Sequence, residues 1–253
     1  MSALNQQIFE YALRIGDTSL ILGQRLGEWC GHGPILEEDI ALTNISLDLI
    51  GQSRAFLTYA GEVEGKGRTE DDLAFFRDAR EYKNKLLVEQ PNGDYAQTML
   101  RQFFVSVYQF YFYTELQKSK DATFSALAEK SLKEVSYHVR HSSEWIIRFG
   151  AGTQESNMRT IEAIENLWSF TGDLFEINET DISLLNAGIG VNMKKVQNEW
   201  EKKIREVFSI ATLVYPEGNF MITGSIKGIH TEYLGHLLSE MQILPRTFPG
   251  VEW

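Results

Sequence analysis

The chain has 253 residues, 43% of them hydrophobic, with five Trp, ten Tyr, fifteen Phe and only five Pro, so it can fill one large core or two small ones with few helix breaks. A formal charge of −11 argues against wrapping DNA or RNA, which needs clustered Lys and Arg. A lone cysteine, Cys30, excludes an intrachain disulfide and a thiolate zinc cage, and no leader-like start or long apolar run points to export or a membrane span, so a cytoplasmic protein is expected.

Apolar residues recur at helical spacing along most of the chain. Over residues 4–29, one stripe is Leu4, Ile8, Tyr11, Ile15, Leu22, Leu26 and Trp29. Beside it run Phe9, Leu13, Gly16, Leu20, Gly23 and Gly27, whose glycines let another helix come close at some cost in helix propensity. Gly31-His32-Gly33-Pro34 ends this segment. A second helix is predicted over 36–62. Leu42, Ile45, Leu49, Phe56 and Tyr59 form one stripe there, and Ile40, Leu47, Ile50 and Leu57 its neighbour. So wide an apolar arc predicts a central place in a bundle.

Residues 71–80 fit a short helix with acids at its start, where the helix dipole favours them. Leu86 to Asp94 reads as an apolar stretch followed by a turn. A third long helix, 95–117, carries Phe103, Phe104, Tyr108, Phe110, Tyr111, Phe112 and Tyr113 on several faces, which implies more than one neighbour. A fourth, 122–149, has an inward stripe of Phe124, Leu127, Val135, His138, Ser142, Trp145 and Phe149. Further helices are predicted over 155–175, 193–210 and 230–244. With no repeats, low-complexity runs or long linkers, the chain reads as one all-α domain over 1–253.

Several constellations carry possible chemistry. Gly31-His32-Gly33 lacks the spacing and the preceding strand of a phosphate loop. Cys30 with His32 is a nucleophile–base pair only if the fold brings the two groups together; otherwise Cys30 packs as a small hydrophobe. Glu232 and His236 share a helix face and, with His230, could hold zinc or iron. The same residues also suit a helix start, with Thr231 or His230 as cap. Glu134 and His138 stand one turn apart, with His141 beyond. They could be half a metal site or a buried hydrogen-bonded pair. Lys194, Lys195, Lys202, Lys203 and Arg205 could attract CoA phosphates, or form a solvated face paired with neighbouring Glu residues.

The long helices match the frame of a di-iron four-helix bundle. Such bundles need Glu-x-x-His on two helices, yet Val135, not Glu, stands three residues before His138. Long strings carry a specific resemblance across nearly the whole chain: Leu26-Gly27-Glu28-Trp29-Cys30-Gly31-His32, Leu47-Asp48-Leu49-Ile50-Gly51-Gln52, Leu87-Val88-Glu89-Gln90-Pro91-Asn92-Gly93, Lys133-Glu134 with Tyr137-His138, and Lys227-Gly228-Ile229-His230-Thr231-Glu232. The chain resembles the structural C-subunit family of the bacterial ring-1,2-phenylacetyl-CoA epoxidases.

The resemblance implies a ferritin-like four-helix bundle with additional C-terminal helices. It implies a non-catalytic role beside a sister A subunit that carries di-iron and epoxidises phenylacetyl-CoA with O₂. Reducing equivalents from NADPH come through a reductase subunit with flavin and an iron–sulfur cluster. It implies no cofactor or metal on this chain, further epoxidase subunits as partners, neither nucleic acid nor membrane, and a homodimer when the chain is isolated. Alignment with the catalytic sister places the former ligand positions at Leu20, Leu49, Gln52, Ser106, Val135 and His138, of which only His138 could bind iron. The centre is then expected to be filled by Leu20, Leu49 and Val135 with a small polar group from Gln52, Asp48 and His138. Asp48 would pair with Arg14, Arg25 or Arg54. The competing expectation is a metal-dependent oxygenase or hydrolase acting through His138 and Glu134, or through His230, Glu232 and His236.

Overall fold

A computed structural model describes residues 1–251, and among them there are helices and turns but no strand. The fold is all-α, and its helices fall into two compact units, residues 1–91 with 224–253, and residues 92–223. Each unit is built on one long antiparallel helix pair. Two such pairs are the parts of a ferritin-like bundle.

The first unit is organised by α1 (Ala3–Gly27) and α2 (Leu36–Glu64). Ser2 caps α1 by accepting from the Asn5 N–H at 3.1 Å. The glycines of α1 do what their spacing predicts. A Cβ on Gly16 would sit 2.8 Å from Leu57 Cδ2, and one on Gly23 would sit 3.1 Å from Ile50 Cγ1 and 3.3 Å from the Ser46 carbonyl oxygen. The two helices therefore approach backbone to backbone, and Ser46 Oγ donates to the Gly23 carbonyl at 2.7 Å. The unit is completed by α3 (Glu70–Phe75), which a Thr69/Asp72 capping box starts, and by α9 (Glu232–Thr247) from the far end of the chain.

The expectation that α2 is central is corrected here. Its Leu42, Ile45, Leu49 and Phe56 face is buried, and so is Leu57 from the second stripe. The rest of that stripe, Ile40, Leu47 and Ile50, is 52%, 61% and 37% exposed. Ile40 and Leu47 are thus largely open to solvent, while Ile50 still reaches α1 beside Gly23.

The second unit pairs α4 (Tyr95–Leu116) with α5 (Ala122–Gly150), and adds α6 (Gln154–Leu167), α7 (Glu179–Asn186) and α8 (Met193–Ile210). Asp94 and Asp121 cap α4 and α5 through the N–H groups of Gln97 and Phe124, each at 2.9 Å. The aromatic load of α4 is met by several neighbours, as predicted. The Phe104 ring lies 5.6 Å from Trp168, 5.7 Å from Trp200 and 6.1 Å from Phe208. The indole N–H of Trp200 donates to the Phe104 carbonyl at 2.9 Å, so the polar atom of this large ring is satisfied. The helix predicted over 155–175 ends as an α-helix at Leu167 and continues as 3₁₀ turns through Phe175. The short helix α7 is not among the predicted elements.

Candidate functional site

The positions that the resemblance assigns to iron ligands are buried within the helix pair of each unit. In the first unit, Leu20 on α1 and Leu49 and Gln52 on α2 are buried; in the second, Ser106 on α4 and Val135 and His138 on α5 are buried. Their donor chemistry does not fit a pair of iron ions. Leu20, Leu49 and Val135 have no donor atom. Gln52 and Ser106 offer neutral groups, and Ser106 Oγ already accepts from Gln102 Nε2 at 2.8 Å. His138 alone is a good ligand type, and one imidazole does not replace the carboxylates such a centre needs. Among the described residues, no three His, Cys, Asp or Glu side chains converge closely enough to hold a metal ion.

The other sequence candidates are rearranged by the fold. His32 does not reach the Cys30 thiol. Its Nδ1 lies 3.1 Å from the Cys30 carbonyl oxygen, and Cys30 is exposed. His230, Glu232 and His236 do not gather: Glu232 and His236 are exposed on α9, whereas the His230 ring is turned into the unit. On α5, Glu134 is half-buried and His138 buried. His141 stacks on Tyr137 at 5.8 Å between ring centroids. On α8, Lys195 pairs with Glu115 at 2.8 Å, Lys203 with Glu206 at 2.9 Å and Arg205 with Glu217 at 3.3 Å, so most of this basic group is already neutralised locally.

What the fold does assemble in the first unit is two buried polar clusters. One is centred on Glu89, which is fully buried. Its carboxylate accepts from Asn84 Nδ2 at 2.9 Å, from His230 Nδ1 at 2.9 Å and from the Thr231 N–H at 2.6 Å. The other ring nitrogen of His230 lies 2.9 Å from the Tyr82 carbonyl oxygen. Burial disfavours the imidazolium, but the hydrogen bond and charge of Glu89, aided by the Tyr82 carbonyl, outweigh it and raise the His230 pKa above its ordinary 6.5. Thr231, predicted as a side-chain cap, makes no capping bond. The Glu89 carboxylate stands at the start of α9 instead, where the helix dipole favours an anion. Arg25 adds a bond of 2.8 Å to the Glu89 carbonyl. Two of the strings that carried the resemblance, around Glu89 and around His230, are thus one structure.

The second cluster is centred on Asp17 and Arg77, both buried. Arg77 Nη1 donates to Asp17 Oδ2 at 3.0 Å, its Nη2 donates to Oδ1, and the Lys83 N–H donates to Oδ2 at 2.9 Å. The guanidinium also bonds the Leu73 and Glu81 carbonyls and lies 4.4 Å from the Tyr82 ring centre. Gln242 on α9 donates to the Ala74 and Arg77 carbonyls at 3.2 and 3.0 Å. The expectation of a buried Asp48 is corrected: Asp48 is only half-buried, and the buried acids of this unit are Asp17, Glu64 and Glu89. Arg54, a predicted partner for Asp48, bonds Glu70 at 3.0 Å.

The model of the phenylacetic acid catabolic protein family matches residues 1–253. The chain is 47% identical over 247 residues, 98% of its length and 99% of the relative's, to the C subunit of the 1,2-phenylacetyl-CoA epoxidase of Escherichia coli strain K12. No helix among the described residues is long and apolar enough to cross a membrane. The chain belongs to the phenylacetic acid catabolic protein family.

Proposed function

We propose that this chain is the structural, non-catalytic subunit of a multicomponent phenylacetyl-CoA 1,2-epoxidase, acting in the cytoplasm in aerobic phenylacetate breakdown. The observation that carries the proposal is the side-chain chemistry at Leu20, Leu49, Gln52, Ser106, Val135 and His138, which are all buried and supply one imidazole and no carboxylate. The likeness to the C subunit of an epoxidase supports the same reading. On it, residues 1–253 form a single ferritin-like domain that pairs with and supports a catalytic A subunit. That partner holds the di-iron centre. A reductase subunit with flavin and an iron–sulfur cluster delivers electrons from NADPH. Aliphatic side chains in place of clustered carboxylates remove mutual repulsion, and burying each stabilises the helix pairs by roughly 1.5–3 kcal/mol.

The chain expressed alone in iron-rich medium is expected to purify with far less than one iron per chain by elemental analysis, and to co-purify with the catalytic subunit when the two are expressed together. In the reconstituted complex, His138→Gln is expected to keep epoxidation at the wild-type level per assembled complex. Two irons per isolated chain, or a fully assembled His138→Gln complex without activity, would return the chemistry to this chain.

A further inference from the structure

We infer that the first unit carries a binding site for a small organic phosphate, in the cavity between Ala79-Arg80 and the segment from Lys227 to Gly235. The cavity has a volume of about 530 Å³, within the range of small-ligand pockets and far more than a bare phosphate ion fills. Two cations line it, Arg80 and Lys227. Both are exposed, and neither is paired with a carboxylate among the described residues. That sets them apart from Lys195, Lys203 and Arg205 on α8, which have Glu partners. A third cation stands behind the wall: a Cβ on the cavity-lining Gly228 would lie 3.1 Å from Lys83 Nζ. Lys83 is half-buried and has no ion pair, and burial lowers its pKa below the ordinary 10.5 despite the charges of Asp17 and Glu10. An anion in the cavity would offset that cost.

Charge, hydrogen bonding and space select the ligand class. Glu232 is the one anionic residue lining the cavity, against two cations on the wall and one behind it. A phosphate monoester brings nearly two negative charges and three acceptor oxygens at neutral pH, which this lining can use better than the single charge of a carboxylate. Thr231 supplies a donor: it lines the cavity, and its hydroxyl is shut off from bulk solvent without a hydrogen-bond partner. His230 contributes charge only, because Glu89 and the Tyr82 carbonyl already engage both ring nitrogens. The remaining volume is bordered by Ala79, Ile229 and Gly235, so the rest of the ligand is compact and apolar. Ile229 is 60% exposed and packs against such a group without any rearrangement of the core. The start of α9 is not the basis of the site, since the Glu89 carboxylate already occupies it. The inference goes beyond the epoxidase reading and does not depend on it.

Calorimetric titration of the full-length chain with phenyl phosphate is expected to show one saturable site per chain, with a Kd of about 1 mM or tighter. Inorganic phosphate lacks the apolar body and benzoate the second charge, so each should bind at least about tenfold more weakly. Arg80→Gln combined with Lys227→Gln should cost phenyl phosphate at least about tenfold in affinity. Gly235→Leu should cost as much without changing any charge, because a side chain there enters the cavity; its Cβ meets nothing within 4 Å. Without ligand, neither variant should lower the melting temperature, since none of the three positions has a side chain bonded within its own chain. Lys130→Gln combined with Lys194→Gln, two exposed lysines of the other unit, should leave binding unchanged. The absence of saturable binding, equal affinity for phenyl phosphate and either inorganic phosphate or benzoate, full affinity in the Arg80/Lys227 or the Gly235 variant, or an equal loss in the Lys130/Lys194 control would each overturn the proposal.

Discussion

Arg77→Met is expected to destabilise the protein by about 3–5 kcal/mol, because it leaves a buried carboxylate without its counter-charge. At roughly 2–4 °C per kcal/mol for a chain of this size, the melting temperature should fall by about 6–20 °C. The reason lies in the depth of the pair. Asp17 and Arg77 are both nearly inaccessible to water, so neither lost charge contact can be replaced by solvent. The guanidinium also satisfies the Leu73 and Glu81 carbonyls, which Met cannot do. Adding Asp17→Asn to Arg77→Met removes the stranded charge, while the new amide oxygen can still accept from the Lys83 N–H. The double variant should therefore be more stable than Arg77→Met alone by more than about 1 kcal/mol, a coupling typical of residues in one network. Chemical denaturation of the two single variants and the double variant closes the cycle. Additive losses would show that the pair is not coupled.

Glu89→Ala should have a comparable effect, again about 3–5 kcal/mol, since three donors, one of them the His230 ring, lose their acceptor together. The damage should be local as well as global: amide exchange across 224–247 should accelerate more than exchange within α1, because Glu89 holds the start of α9 in place. The pair with His230 also makes stability depend on pH. The folded-state pKa of His230 is raised, so the folded protein keeps this proton more tightly than the unfolded chain. The resulting stability is fully present below the unfolded value near 6.5 and is lost as pH rises through the higher folded value. Glu89→Gln removes the negative partner and should flatten this component. Melting curves taken from mildly acidic to mildly alkaline pH should show the wild-type advantage over Glu89→Gln shrinking as pH increases. Parallel curves would mean that His230 is neutral in the folded state throughout.

Much of this architecture is legible in the sequence because it is local. The periods of α1, α2, α4, α5 and α8 place their ends within a few residues of those observed, and the glycines of α1 announce its close packing on α2. The inward phase of Val135 and His138 follows from spacing alone. The short helix α7 escapes a reading by period, although Asn178 and Asp181 form a capping box that could flag it; eight residues carry too little periodicity to stand out. The polar clusters escape it for a different reason. Asp17 and Arg77 are 60 residues apart, and Glu89 and His230 are 141 apart, so no helical period connects them. The available signal is an acid set among buried-phase residues, Asp17 within Ile15 to Leu20 and Glu89 after Leu86-Leu87-Val88, each of which must find a partner somewhere. A helix apolar over a wide arc is covered on all sides only if a neighbour exists for every side, and such a neighbour can belong to another molecule.

The placement of α9 bears on how the polypeptide emerges during synthesis. Residues 92–223 are contiguous and have all their own elements once they have left the ribosome. The other unit does not: Glu89 and the Ala74 and Arg77 carbonyls wait for His230, Thr231 and Gln242, which are made after residues 92–223. The amino-terminal hairpin must therefore persist, unsealed, for the time taken to translate well over a hundred further codons. A premature stop anywhere before α9 would leave it permanently open to chaperones and proteases, while the middle of the chain could still complete its own core.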